Sequence, residues 1–181
     1  CDDKETCYVD ADNDSYRLTT TVSSSDDDCD DSGEALSSEP ATDCKDTDST
    51  INPAATEIAG DAVDQNCDSK ETCYVDADDD GYRLTTTVTS SDTDCSDTGE
   101  ALSSEPATEC NDTDSTIKPG ATEIAGDAVD QNCDSAESCY VDADNDGYRL
   151  TTTVASSDSD CSDSGEALSS EPATECNDTD S

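Results

Sequence analysis

The sequence predicts small disulfide-tied repeats in a linear tandem array, low in regular secondary structure, with short β-strands. Three observations predict it: a 66-residue period, four cysteines at fixed places in each full period, and acidic side chains at alternate positions of recurring loops. The period is read directly. Residues 1–66 and 67–132 agree at 55 of 66 positions, and 67–115 agrees with 133–181 at 43 of 49. One supersecondary unit is therefore repeated, each copy meeting mainly its neighbours. The repeats are 1–66, 67–132 and 133–181, the third truncated. Both ends cut through the repeated motif, so the chain is expected to be a window of a longer array.

Cysteine has to do what an apolar core does elsewhere. Only 30% of the residues are hydrophobic, many of them Ala or Cys, and Trp, Phe and Met are absent. Ordering the backbone costs roughly 1 to 2 kcal/mol per residue, more than this apolar content offsets. Twelve cysteines in register read as a disulfide framework, which persists outside the cytosol. Thiolate metal sites are the weaker reading, because no CxxC pair and no His exist. Four cysteines per unit allow three pairings.

Along each unit, "YRLTTTV" is β-branched and partly alternating. It predicts a strand over 16–22, with Tyr16, Leu18, Thr20 and Val22 on one face, and its equivalents over 82–88 and 148–154. The next stretch, "SSSDDDCDDSGE", reads as loop. "EALSSEPAT" reads as a short turn of helix or strand ended by Pro40, and Ile58 with Val63 as a small apolar segment packing on the strand.

Charge is the third observation. The chain carries 49 acids against 7 bases, a net of −42, and repels itself unless cations intervene. In "DADNDSY", Asp10, Asp12 and Asp14 stand at i, i+2 and i+4, repeated as Asp76, Asp78, Asp80 and as Asp142, Asp144, Asp146. D-x-D-x-D-G followed by a backbone carbonyl is how an EF-hand loop gives calcium the first half of its six to eight oxygens. The carbonyls of Tyr16, Tyr82 and Tyr148 take that next place. Gly81 and Gly147 fill the sharp-turn position, where φ is free to be positive, but the first unit has Ser15, which predicts a strained or weaker loop. An EF-hand ends on a Glu twelve residues in, where Thr21, Thr87 and Thr153 stand instead. The closing carboxylate is therefore sought at Asp28 and Asp31, with Asp94, Asp97, Asp160 and Asp163, which a Cys7–Cys29 bridge and its copies Cys73–Cys95 and Cys139–Cys161 would hold beside the loop.

A second acidic cluster comprises Asp43, Asp46, Asp48 and Glu57, repeated as Glu109, Asp112, Asp114 and Glu123, with Asp178 and Asp180 in the third unit. A third comprises Asp61, Asp64, Asn66 and Asp68, repeated as Asp127, Asp130, Asn132 and Asp134. The fold class is thus one of small disulfide- and calcium-stabilised repeats.

These stretches, "YVDADNDSY", "DCKDTDSTINPAATEI" and "GDAVDQNCD", resemble the MopE-type metal-binding motif repeats of secreted bacterial proteins over the whole unit. They are more distantly similar to thrombospondin type 3 calcium-binding repeats. The resemblance implies an extracellular protein that binds divalent cations, with Asp10, Asp12, Asp14, Asp46, Asp48, Glu57, Asp64 and Asn66 as ligand positions. It further implies that Cys44 pairs with Cys67 and Cys110 with Cys133. Ala59 and Gly60 depart from the family pattern, which has a second Asp-Gly and commonly a Cys there. Copper suits soft or imidazole ligands, and His and Met are absent.

Function classes narrow accordingly. With no His and no phosphate loop, no enzyme is expected. Too few bases exist to neutralise phosphates, which excludes nucleic acid, and no apolar run reaches the roughly 20 residues of a membrane span. The expected role is a calcium-rigidified extracellular or cell-surface fibre, filament or stalk, self-associating or continuing as a covalent array. The alternative is a secreted divalent-metal buffer or scavenger. O-linked glycans are expected on the Ser/Thr-rich "LTTTVSSS" copies. The sequons at Asn13, Asn111 and Asn177 compete with metal loops for the same residues.

Overall fold

The computed structural model describes residues 4–174. Among them there is no helix. Nine short strands form three antiparallel sheets: β1 (Thr6–Asp10), β2 (Thr21–Ser23) and β3 (Gly33–Ala35), then β4 (Thr72–Asp76), β5 (Thr87–Thr89) and β6 (Gly99–Ala101), then β7 (Ser138–Asp142), β8 (Thr153–Ala155) and β9 (Gly165–Ala167). The strand orders are β2-β1-β3, β5-β4-β6 and β8-β7-β9, so the longest strand is always central. In the first sheet Cys7 faces Val22 and Asp10 faces Gly33.

The central strand, "TCYVD", runs directly into the acidic loop at Asp10. It forms because Thr, Tyr and Val suit a pleated surface and because both its flanks are paired. Of the expected strand over 16–22, only Thr21 and Val22 are in β2, and all of β2 is exposed. Arg17 is the reason the rest departs. Its N–H donates to the Pro40 carbonyl at 3.0 Å, and its guanidinium donates to the carbonyls of Glu39 and Leu18 at 2.9 and 3.0 Å. The guanidinium carbon sits 3.6 Å over the Tyr8 ring. A chain that turns inward to bury Arg17 cannot stay in the ladder. It rejoins on either side, with Leu18 N–H donating to Val9 O and Val9 N–H to Thr20 O.

The "EALSSEPAT" segment is β3 followed by a turn in which Glu39 N–H donates to Leu36 O. Ile58 and Val63 do not pack on a strand: they are 61% and 37% exposed. Ile51 is the aliphatic residue that is buried there. The contact expected of Ile58 and Val63 belongs to Gly60, whose N–H donates to Thr72 O and whose carbonyl accepts from Ser103 N–H, both at 2.8 Å. The same arrangement joins Gly126 to Ser138 and Ser169.

The core is mostly sulfur and alanine. Among the described residues five disulfides, Cys7–Cys29, Cys44–Cys67, Cys73–Cys95, Cys110–Cys133 and Cys139–Cys161, close loops of 22 or 23 residues. Cys7, Cys29 and Ala35 are buried together with the first sheet, and their equivalents with the other two. The chain forms two compact units, Cys1–Val75 with Thr86–Ser104, and Asp76–Thr85 with Glu105–Ser181.

Candidate metal centres

Each Asp-rich loop begins where the central strand ends. Asp10 is buried, and its two oxygens accept the N–H groups of Asp14 and Ser15 at 3.2 and 3.1 Å, while Asp14 accepts from Tyr16 N–H at 2.8 Å. These bonds curl the chain until Asp10, Asp12 and Asp14 each offer an oxygen within 4.8 Å of the others. The backbone meets this curl with positive φ at Asn13 (59°) and Ser15 (76°), and at Gly81 (86°) and Gly147 (85°) in the copies. Ser15 thus takes up the left-handed conformation that glycine adopts without cost. Asp76, Asp78 and Asp80, and Asp142, Asp144 and Asp146, are gathered in the same way.

The remaining carboxylates come from about thirty residues downstream. Ala11 N–H donates to Asp46 at 2.9 Å, and Ala77 N–H to Asp112 at 2.6 Å. Burial chiefly, then the charge of Asp14 and, less, those of Asp43 and Asp10, raise the Asp12 carboxyl from its ordinary value against the pull of the Asp48 amide. Burial and the charges of Asp14, Asp46 and Asp10 likewise raise Asp43, despite the Lys45 amide. In the second loop, burial with Asp80, Glu109, Asp76 and Asp112 raises Asp78. Glu175 and Asp178, the counterparts for the third loop, lie outside the described residues, as does Asp180.

Asp28 and Asp31 are not in the group that gathers Asp10, Asp12 and Asp14. The Cys7–Cys29 bridge does form, but Cys7 is three residues up β1 from Asp10, roughly 10 Å at strand rise. Asp28, next to Cys29, lies towards the Cys7 end of the strand, whereas Asp31 stands two residues before Gly33, the residue paired with Asp10. Asp31 accepts from the Ser25 hydroxyl at 3.1 Å, and Glu34 N–H donates to Asp31 O. The equivalents in the second repeat form a cluster in which burial, then Asp97, Asp92 and Asp94, raise Glu100 against a Ser90 hydrogen bond. Glu34, Glu100 and Glu166 each keep one buried oxygen without a hydrogen bond, and sequence reasoning passed over all three. The alternation of Asp26 with Asp28 was the available signal.

Asp48 and Asp114 turn away from the loops to accept from the hydroxyls of Thr50 and Thr116 at 2.7 Å, and these bonds lower both carboxyls. Asp64, Asn66 and Asp68 reproduce the first loop's backbone. Asp64 accepts from Asp68 and Ser69 N–H at 3.1 and 2.8 Å, and Cys67 and Ser69 have φ of 60° and 66°. Glu57 accepts from Asn66 N–H at 2.8 Å, as Asp46 does from Ala11. Asp130, Asn132, Asp134 and Glu123 repeat this. Asp61 and Asp127 instead hold the side-chain amides of Gln65 and Gln131.

The donor set fits a hard cation. Both oxygens of Asp12 and of Asp78, and one each of Asp14, Asp43, Asp80 and Glu109, are buried without a hydrogen bond. Buried carboxylates without partners are costly, and oxygen-only sets suit calcium or magnesium. In the second loop a protein cation already approaches, with Lys118 Nζ 3.9 Å from Asp80. Asp43 and Glu109 also lie beside Cys44–Cys67 and Cys110–Cys133, but these sulfurs are in disulfides and supply no thiolate. Asn13 serves as a strut: its carbonyl accepts from Gly33 N–H at 2.9 Å and its amide donates to Ser32. No described helix is long and apolar enough to cross a membrane.

Comparison with known proteins points to metal binding. A family model, Cu-binding MopE, described as "Putative metal-binding motif", matches residues 18–35, 43–71 and 110–138. No curated protein and no solved structure matches the chain. The second and third matches each span a Cys–Cys bridge with its Asp-x-Asn-x-Asp loop, the architecture of a disulfide-bonded metal-binding protein of the extracellular type. The MopE-type metal-binding motif model thus matches the chain three times, twice at equivalent places of successive repeats.

Proposed function

We propose that this chain is a non-enzymatic structural repeat of an extracellular fibre, filament or stalk, whose Asp loops hold calcium and thereby stiffen each repeat. The observation that carries the reading is recurrence. The same buried, hydrogen-bond-free carboxylate oxygens stand on the same left-handed backbone in successive copies. A regular assembly needs equal steps, and equal steps need equal sites. Oxygen ligands alone, on an irregular loop whose backbone amides are already capped, favour calcium over the smaller, strictly octahedral magnesium. Asp10, Asp12, Asp14, Asp43 and Asp46 would hold the ion, with the Tyr16 carbonyl completing the turn, and the Asp64 loop with Glu57 would hold another. Its charge would neutralise carboxylates that otherwise repel. Because calcium would bind the ordered loop and not the unfolded chain, its binding free energy adds to stability.

The test is elemental mass spectrometry of gel-filtered native protein, paired with electron microscopy before and after exhaustive EGTA. Retained calcium in stoichiometric amount, and filaments that soften or dissolve on chelation, are the expected results. Absence of retained calcium, or filaments indifferent to EGTA, sinks the reading and brings a loosely loaded metal scavenger forward.

A further inference from the structure

A different pair of carboxylates, outside the Asp loops, is the most deeply buried acid among the described residues. Glu71 is 0% exposed and Glu137 1%. Neither oxygen of Glu71 has a hydrogen bond of ordinary geometry, although the Thr72 and Gly60 amides approach it. One oxygen of Glu137 is equally bare, while the other accepts from Gly126 N–H at 3.3 Å. Beside them stand Glu57 and Glu123, each with one oxygen bonded to the loop amide and the other buried and bare. Asp61 and Asp127 add a third negative charge at each place. Glu5, the equivalent in the first repeat, is exposed.

We infer that Glu57 with Glu71, and Glu123 with Glu137, form a second class of divalent cation site, holding a hard ion of the calcium type between a repeat's last loop and the sheet that follows it. Burying one bare carboxylate is expensive, and burying two in contact compounds desolvation with repulsion unless a positive charge lies between them. The pair recurs in the next repeat, with Ala136 and Ser138 in place of Lys70 and Thr72. It also stands beside the Gly60 turn, which hydrogen-bonds Thr72 and Ser103, so the ion would clamp the turn to the sheet. Glu57 would then face two ways, one oxygen ordering the Asp64 loop and the other reaching the clamp. Burial chiefly, and then Glu57 and Asp61, raise the Glu71 carboxyl to about 7, and Glu137 is raised to about 7 in the same way. A proton shared by the two carboxyls is therefore the competing occupant.

The two occupants give opposite signs in one experiment. The Glu71→Gln, Glu137→Gln double variant is isosteric and keeps every disulfide. Its melting temperature is measured at pH 8 in saturating calcium chloride and in EGTA. With an ion at the site, the variant melts below wild type in calcium and above it in EGTA, and gel-filtered protein retains two fewer calcium ions per chain by elemental mass spectrometry. A shared proton makes the variant more stable than wild type in both buffers with calcium retention unchanged, and that result overturns the proposal. Asp12→Asn, measured alongside, reports the Asp loops separately. Loss of calcium there with no loss in the Glu variant condemns the clamp and leaves the loops standing.

Discussion

Replacing Gly60 by alanine separates backbone conformation from steric fit. A Cβ at Gly60 would stand 2.5 Å from the backbone nitrogen of Ser103, 2.9 Å from the Tyr74 ring and 3.1 Å from the Leu102 carbonyl carbon, on a backbone with φ of +72°. The left-handed conformation alone costs an L-residue roughly 1 to 2 kcal/mol. Because the nearest atom is backbone, relief requires the turn to move off the sheet. That move forfeits the Ser103 N–H and hydroxyl bonds to the Gly60 carbonyl, at 2.8 and 2.9 Å, each worth about 1 kcal/mol. Overpacking against Tyr74 adds on the order of 1 kcal/mol more. The expected loss is about 4 to 5 kcal/mol. Gly33→Ala is the control, since its φ is +88° and a Cβ there meets nothing within 4 Å. It should cost only the conformational 1 to 2 kcal/mol. The assay is urea denaturation in saturating calcium with disulfides intact, followed by the tyrosine near-ultraviolet dichroism. If the two variants lose stability equally, within about 1 kcal/mol, the packing of the Gly60 turn is not what joins loop to sheet.

Ser15→Gly should raise stability by roughly 1 kcal/mol and bring the first loop's calcium affinity level with the second, since φ of 76° is then free of strain; calorimetric titration of the two loops reads this. Replacing Cys44 and Cys67 together by alanine removes a bridge closing 23 residues, which should cost about 3 kcal/mol in a denaturant titration. Arg17→Lys loses the planar donor fork to Glu39 and Leu18 and the stacking on Tyr8, and should cost about 2 kcal/mol by thermal melting, with the larger part surviving at high salt. In EGTA, stability should fall as pH rises. Glu71 and Glu137, raised to about 7 in the folded state, bind more protons folded than unfolded, so their contribution is full below about pH 4.5 and lost through pH 7. Melting curves from pH 4 to 8 should show that decline, and calcium should flatten or reverse it.

What the sequence disclosed was whatever repeats locally. Asp10, Asp12 and Asp14 declare themselves by alternate spacing within one tight turn, and their amide bonds span no more than five residues. The left-handed position at Ser15 was legible because its copies are Gly81 and Gly147. The strand over Thr6–Asp10 was hidden by the acid at its end, because Asp10 belongs at once to the strand and to the loop. Asp43 and Asp46 escaped assignment to the first loop because contacts across about thirty residues depend on where the chain turns, and Arg17 decides that by burial under Tyr8. Glu71 gave no warning, since its neighbours "SKETC" read as surface. Only the packing of the Gly60 turn takes it out of water.

A core of cystine and alanine has a thermal consequence. The heat-capacity change of unfolding grows with the apolar surface exposed, and it sets how sharply stability curves with temperature. Here the buried apolar residues around each sheet are chiefly two half-cystines and one alanine, so that change should be small for the chain's length and the stability curve broad. Warming or chilling would then do little on its own. The protein's endurance would be decided by the thiol–disulfide poise and dissolved cation of the water around it, making it a material tuned by chemistry more than by climate.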